Sequence, residues 1–210
     1  MIARWISIIF DSSVLSVPIF LVIGWKEAQF VGLEWAVITL LIVTGIPLAY
    51  ILIGKRKGWV SDFEISQRSE RPRFILVSLS SDVLAILLSS AFHGPHFLRV
   101  MVLAYLCLGI TMMTISMFWK ISLHMAGVGG FSTALVFVFG LPALVTFLSL
   151  PLVAWARFKR KKHSIAQLVA GAAAGILITT LVFGGLAQWH KNTRNSPNLV
   201  FKSFYVTYEL

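Results

Sequence analysis

Four stretches of this chain, Trp5 to Trp25, Leu33 to Gly54, Phe74 to Phe92 and Phe97 to Trp119, are long and apolar enough to be membrane helices, each of which takes about 20 residues. A fifth runs from Ser164 to about Ala187. A soluble core cannot hide this much apolar surface in 210 residues, of which 58% are hydrophobic and 12% charged. In lipid every backbone polar group has to be satisfied within the protein, which leaves helices and closed barrels. The runs are too long for barrel strands, so the expected fold is all-α, a polytopic transmembrane bundle of six to seven membrane helices. Residues 1–190 form one transmembrane domain in this reading, and 191–210 a polar, partly aromatic tail at the membrane surface. The opening stretch resembles a secretory leader, but Asp11 interrupts it and no small-residue cleavage site follows, so it reads as a retained span.

The segment from His124 to Arg157 admits two arrangements. As one helix from Gly129 to Ala156 it would be about 42 Å long at about 1.5 Å per residue. As a hairpin it breaks at Gly140-Leu141-Pro142, a stop and restart signal. The single helix puts His124 and His163 on opposite faces of the membrane, and the hairpin puts them together. With the hairpin, 13 of the 18 Lys and Arg residues fall on one face, in the N-terminus, loop 55–73, the Lys120 turn and loop 157–163. The positive-inside rule makes that face cytoplasmic, in what is expected to be the plasma membrane of a prokaryote. The net charge of +10 is explained by topology and anionic headgroups, and no nucleic-acid partner is expected. Cys107 is the only cysteine and lies in an apolar run, so no disulfide within the chain is available.

Three polar islands open on the crowded face, in loops 55–73, 119–128 and 157–167, and each ends where an apolar helix begins. The free N–H groups and positive dipole ends of those helices suit an anion, and Arg71, Lys120 and Arg157 add full charges. Arginine offers phosphate a planar fork of donors. His124 and His163 stand at two of the helix starts, and Gln167 lies one turn after His163, on the same face. Gln167 is expected to accept a hydrogen bond from one ring nitrogen of His163 and leave the other free to attack phosphorus. The nearby cations disfavour the imidazolium and keep that nucleophile neutral near pH 7. His124 is then placed to protonate the leaving oxygen.

The pattern Arg157, five residues, His163, three residues, Gln167, followed by the small-residue stretch "LVAGAAAG", resembles the third signature of the type 2 phosphatidic acid phosphatases, relatives of the vanadium haloperoxidases. That signature ends in Asp where this chain has Gln167, and one branch carries His-x-x-Ala-Gln. The stretch "ISLH" at 121–124 resembles the family's Pro-Ser-Gly-His, and Arg71-Pro72 the close of its first signature. The resemblance covers about Glu64 to Gly175. It implies a metal-independent lipid phosphatase that uses no cofactor and hydrolyses a phosphomonoester or diphosphate of a lipid or isoprenoid through a phosphohistidine on His163. His124 would be the general acid, and Arg71, Arg157 and Ser122 would bind phosphate. The family Lys falls on Glu64, for which Arg68 or Lys120 would substitute. Ala156 stands where the family has Ser, and Leu123 where it has Gly.

Other readings follow from the same residues. The lysines from Lys159 to Lys162 are explained by orientation and headgroup attraction alone. The missing carboxylate suits a catalytically inactive relative that binds lipid phosphate. Asp11 and Asp82 fall inside spans, where ionisable residues are expensive and have partners or functions, so a small proton-coupled transporter is a further alternative. Asp62, Glu64 and Glu70 read as salt-bridged loop residues; a metal on diphosphate, as in prenyltransferases, would need more Asp than this loop has. His93 and His96 read as a polar turn, without a third ligand for a metal. Gly171 and Gly175 form a GxxxG pattern for close helix packing, within the bundle or in a homo-oligomer.

Overall fold

The computed structural model describes residues 1–63, 65, 67 and 69–194, the last eight as backbone only. The described residues are helical almost throughout. Helix α1 (Ile2–Ile9) is short, and its exposed face carries Ile2, Trp5, Ile8 and Ile9 while Ser7 is buried. The chain breaks at Phe10–Asp11, and α2 (Ser12–Leu40) begins with Asp11 as its N-cap, Oδ1 accepting from Ser13 N at 3.0 Å. The first membrane helix therefore begins at Ser12 and not near Trp5, because the capping carboxylate takes up one of the free N–H groups there.

Helix α2 reverses at Ala28 (φ −145°, ψ 28°) and Gln29 (φ 49°, ψ −125°). The residues Lys26 to Gln29 separate the two apolar runs, and the turn between them leaves the Glu27 carboxylate accepting from Phe97 N at 3.0 Å. Gly24 and Gly32 oppose each other across the reversal, so closely that a Cβ on either would meet the other's carbonyl. Ser16 and Thr44 hydroxyls meet at 3.1 Å farther along the same pair. The second arm continues through a π-helical stretch (Leu41–Gly45) into α3 (Ile46–Arg56). Loop 57–70 leads to α4 (Arg71–Ala91) and α5 (His96–Phe118), which pack on each other.

Helix α6 (Leu123–Phe139) ends at Gly140, whose φ of 78° is in the region that favours glycine. A 3₁₀ stretch (Leu141–Leu148) and α7 (Ser149–Lys159) return the chain to its starting face. This is the hairpin arrangement: the guanidinium of Arg157 lies 3.5 Å from His124. Helix α8 (Ile165–Arg194) runs past Ala187, into the stretch assigned to the tail. The tail from residue 195 lies outside the described residues, and so does its placement at the membrane surface.

Five stretches among the described residues are long and apolar enough to cross a membrane, and α6 is a shorter apolar helix. One of the five, Ser12–Arg56, contains the reversal, so the bundle makes seven apolar passes. Large side chains such as Leu87, Leu148 and Leu181 stand more than half exposed, as lipid-facing residues do. The protein is an all-α integral membrane protein.

The centre of the bundle is the seam between α6 and α8. Residues 125–134 of α6 are all buried. A Cβ on Gly171 would sit 2.5 Å from the Ser122 carbonyl oxygen, and one on Gly175 would run into the carbonyl of Ala126. Small residues let two backbones approach where lipid supplies no hydrophobic drive to associate. The GxxxG face is thus occupied within the chain, which leaves it no surface for a homo-oligomer. The seam has a second consequence. It ties the starts of the two helices together, with Ser122 N donating to the Gln167 carbonyl at 3.3 Å.

Candidate active site

Because α6 and α8 start side by side and α7 returns to the same face, one pocket of about 110 Å³ collects polar residues from distant parts of the chain. Arg71 comes from the start of α4, His124 from α6, Arg157 from the end of α7 and His163 from the loop before α8. Asp11, Ser12 and Ser13 close it from the N-terminal side, and Phe63, Ile65 and Phe74 supply apolar walls. Arg71 is held in place by its Nε, which donates to the Ile65 carbonyl at 3.2 Å.

The two histidines sit in different surroundings. His124 Nε2 lies 3.1 Å from the Ser7 carbonyl oxygen, 3.3 Å from Asp11 Oδ2 and 3.5 Å from Arg157. A guanidinium only donates, so a bond from Arg157 would require Nε2 without a proton. The two oxygen acceptors are closer and require Nε2–H. We assign Nε2–H as a donor to Ser7 and Asp11, with the guanidinium alongside. Asp11 thereby serves twice, capping α2 with one oxygen and facing His124 with the other.

His163 has no such support on Nδ1, which is buried without a hydrogen-bond partner. Its pKa is lowered to about 4, first by burial and then by the charges of Arg157 and Lys120. The ring is neutral at pH 7, as the charge pattern predicts, although loss of hydration contributes more than any one cation does. Gln167 pulls weakly the other way. Its side-chain oxygen accepts from Ser164 N at 3.1 Å, while Ser164 Oγ accepts from Gln167 N at 3.4 Å. That reciprocal pair is a capping box. The amide oxygen has a second acceptor site, and a side-chain hydrogen bond also links Gln167 to His163, so the capping box adds a partner to the one that the spacing suggests.

Ser122 also differs from expectation. It is fully buried, its hydroxyl accepts from Met125 N at 3.4 Å as the cap of α6, and it does not line the pocket. Lys120 lies close enough to be influenced by Arg71, Lys162 and Arg157, and its pKa is lowered by burial and then by those three charges. Arg68 and Glu64 lie outside the described residues. Glu70 closes its loop on Ser61, accepting from the backbone N at 3.0 Å and from the hydroxyl at 3.2 Å, instead of pairing with an arginine. Among the described residues no group of three His, Cys, Asp or Glu is placed to hold a metal ion.

The pocket thus gathers several cations against one carboxylate. Arg157 is 5% exposed, so little water screens its charge at the pocket. Asp11 balances part of that charge, which leaves an arrangement suited to an anion with oxygen acceptors. The α1 backbone is the part that sequence reasoning missed as a site component, and Asp11, which the sequence marked as needing a partner or a function, joins the lining. The signal for Asp11 was present, since "DSSV" before an apolar run is an N-cap pattern. These features define an integral membrane helix bundle with a pocket at one end that two arginines, two histidines and one carboxylate line. No protein-family model, curated protein or solved structure matches this chain.

Proposed function

We propose that the protein is a membrane lipid phosphatase that cleaves a phosphomonoester or diphosphate from a lipid or isoprenoid. The observation that carries this reading is the convergence of Arg71, His124, Arg157 and a neutral His163 on one pocket at the end of the bundle. The resemblance of the Arg157–Gln167 stretch to type 2 phosphatidic acid phosphatases supports it. The phosphate would rest between Arg71 and Arg157. A nitrogen of neutral His163 attacks phosphorus, a P–N bond forms, and the P–O bond to the lipid breaks as His124, starting as the imidazolium, gives that oxygen a proton and becomes neutral. Water then attacks phosphorus, its proton passes to His124, and the P–N bond breaks to release phosphate. The basic side chains supply the positive charge for both displacements. The lipid tail would enter from the leaflet, between the helices.

A second reading is favoured by Gln167. Its capping box leaves His163 without a carboxylate, as in a relative that binds lipid phosphate without turnover. Phosphate release from phosphatidate and from a prenyl diphosphate, with EDTA present, separates the two. Release by purified protein that is lost in His163→Ala is the expected result. Binding of either lipid without release, in folded protein, overturns the phosphatase reading in favour of the second.

A further inference from the structure

The charged pocket does not end at the membrane surface. A second cavity of about 160 Å³ extends inward from it, and Ser12, Ser13, Phe74, Ile75 and Leu123 line both. Its walls are largely apolar, but two polar side chains stand deep within it, Asp82 from α4 and Tyr105 from α5. Asp82 is eleven positions along α4 from Arg71, about 16 Å at about 1.5 Å per residue. That depth is near the middle of a hydrocarbon core about 30 Å thick.

The other hydroxyls of known geometry along the cavity, Ser16, Thr44 and Ser78, have partners within the protein. Ser16 donates to the Ser13 carbonyl at 2.7 Å, and Ser78 to that of Phe74 at 3.1 Å. Asp82 and Tyr105 do not. Asp82 is only 7% exposed and makes no hydrogen bond or ion pair among the described residues. The Tyr105 hydroxyl is buried with no partner. A carboxyl at this depth is costly without a partner and, where it persists, marks a functional position. Tyr105 is held in place by Phe20, stacked at 5.8 Å, and Phe131, edge-on at 5.3 Å.

We propose that this cavity binds the tail of an amphiphile and that Asp82 and Tyr105 together recognise a hydroxyl group deep on that tail. A hydroxyl satisfies both residues at once, giving its proton to the carboxyl oxygen and accepting the Tyr105 O–H. A plain hydrocarbon would leave both unsatisfied, which is the stronger form of discrimination. For the phosphate end of the ligand the inference rests on the function proposed above; for the hydroxyl end it stands on the cavity alone.

Equilibrium binding to protein in lipid nanodiscs, corrected for uptake by empty discs, tests it with four probes. These are dodecanol, its α,ω-diol, dodecyl phosphate and ω-hydroxydodecyl phosphate. The diol is expected to bind about ten-fold more tightly than dodecanol, the ratio that one well-made buried hydrogen bond supplies. Asp82→Leu and Tyr105→Phe should each bring that ratio to about one. Tyr105→Phe keeps the ring packing, so a folded variant is available whatever Asp82→Leu does to folding. Equal affinity for the diol and dodecanol in the native protein overturns the proposal, as does a preference that survives both substitutions. If the diol preference holds while the phosphates bind no better than the alcohols, the hydroxyl site stands and the phosphate site falls. If the phosphates bind better but the hydroxyl adds nothing in either pair, this proposal alone falls.

Discussion

His124 and His163 are alike in the sequence, each just before a run of small residues that packs one helix on another, and the fold treats them differently. His124 is gripped through Nε2 by the α1 backbone and by Asp11. His163 has a buried, unpartnered Nδ1 and is surrounded by positive charge. Burial and cations favour the neutral ring, whereas a facing carboxylate favours the charged one. In the phosphatase reading proposed above, the difference gives them separate parts: His163 would be the unprotonated nucleophile and His124 the residue that holds and returns a proton. The carboxylate that the phosphatase signature would place beside His163 is replaced by Gln167, while a carboxylate from a remote part of the chain reaches the other histidine.

That asymmetry can be broken from several directions. Replacing His163 with Ala should cost at least about a thousand-fold in phosphate release, the scale on which loss of a nucleophile is felt, with the folded protein intact by circular dichroism. A smaller loss would mean that His163 is not the nucleophile. Asp11→Asn tests the other member of the pair. Asn caps a helix about as well as Asp, so thermal stability should hardly move, while kcat falls by about 10 to 100-fold, part of what general acid catalysis contributes. An unchanged kcat would reduce Asp11 to a cap.

Acid should reveal the buried ring without any substitution. The unfolded chain takes up a proton on His163 near pH 6.5, whereas the folded protein does so only near about 4. Between those values the unfolded state binds more protons, so stability declines as pH falls through that window. Melting curves from pH 7 to 4 should show this decline, shallower in His163→Gln; identical slopes would mean that the ring is not buried as described. Lys161→Ala should matter least, leaving phosphate release within about two-fold, because an exposed lysine contributes mainly to orientation and headgroup attraction. A loss comparable to that of His163→Ala would join the lysines to the site and end the division of that loop.

Much of this architecture was legible from residue order alone. Lipid imposes about 20 apolar residues per pass, so most spans could be placed to within a few residues, although the first, read from Trp5, begins at Ser12. The pairing of Gly140 with Pro142 marked the turn on which the site depends, without deciding between a hairpin and one long helix. Gln167 was the harder residue. The spacing that puts it on the same face as His163 also makes it, with Ser164, a capping box, and a spacing read for one partner of an amide does not announce the second. Ser122 was likewise read for its match to a phosphatase signature when its hydroxyl was needed at the start of α6.

The sequence by itself determined that this is a bundle of membrane helices with its cations clustered in the segments that join them, because hydropathy and charge act locally and the bilayer acts on every segment alike. Only the tertiary structure decided which of those charges meet. It took the α6–α8 seam to set two helix starts side by side, the reversal at Gly140 to return Arg157, and a short N-terminal helix to carry Asp11 to His124. It also left Asp82 and Tyr105 facing a cavity instead of each other's helices. Such contacts join residues more than a hundred positions apart, as Ser7 and His124 are. They depend on how closely backbones can pack, a property of pairs of helices that neither sequence run carries alone.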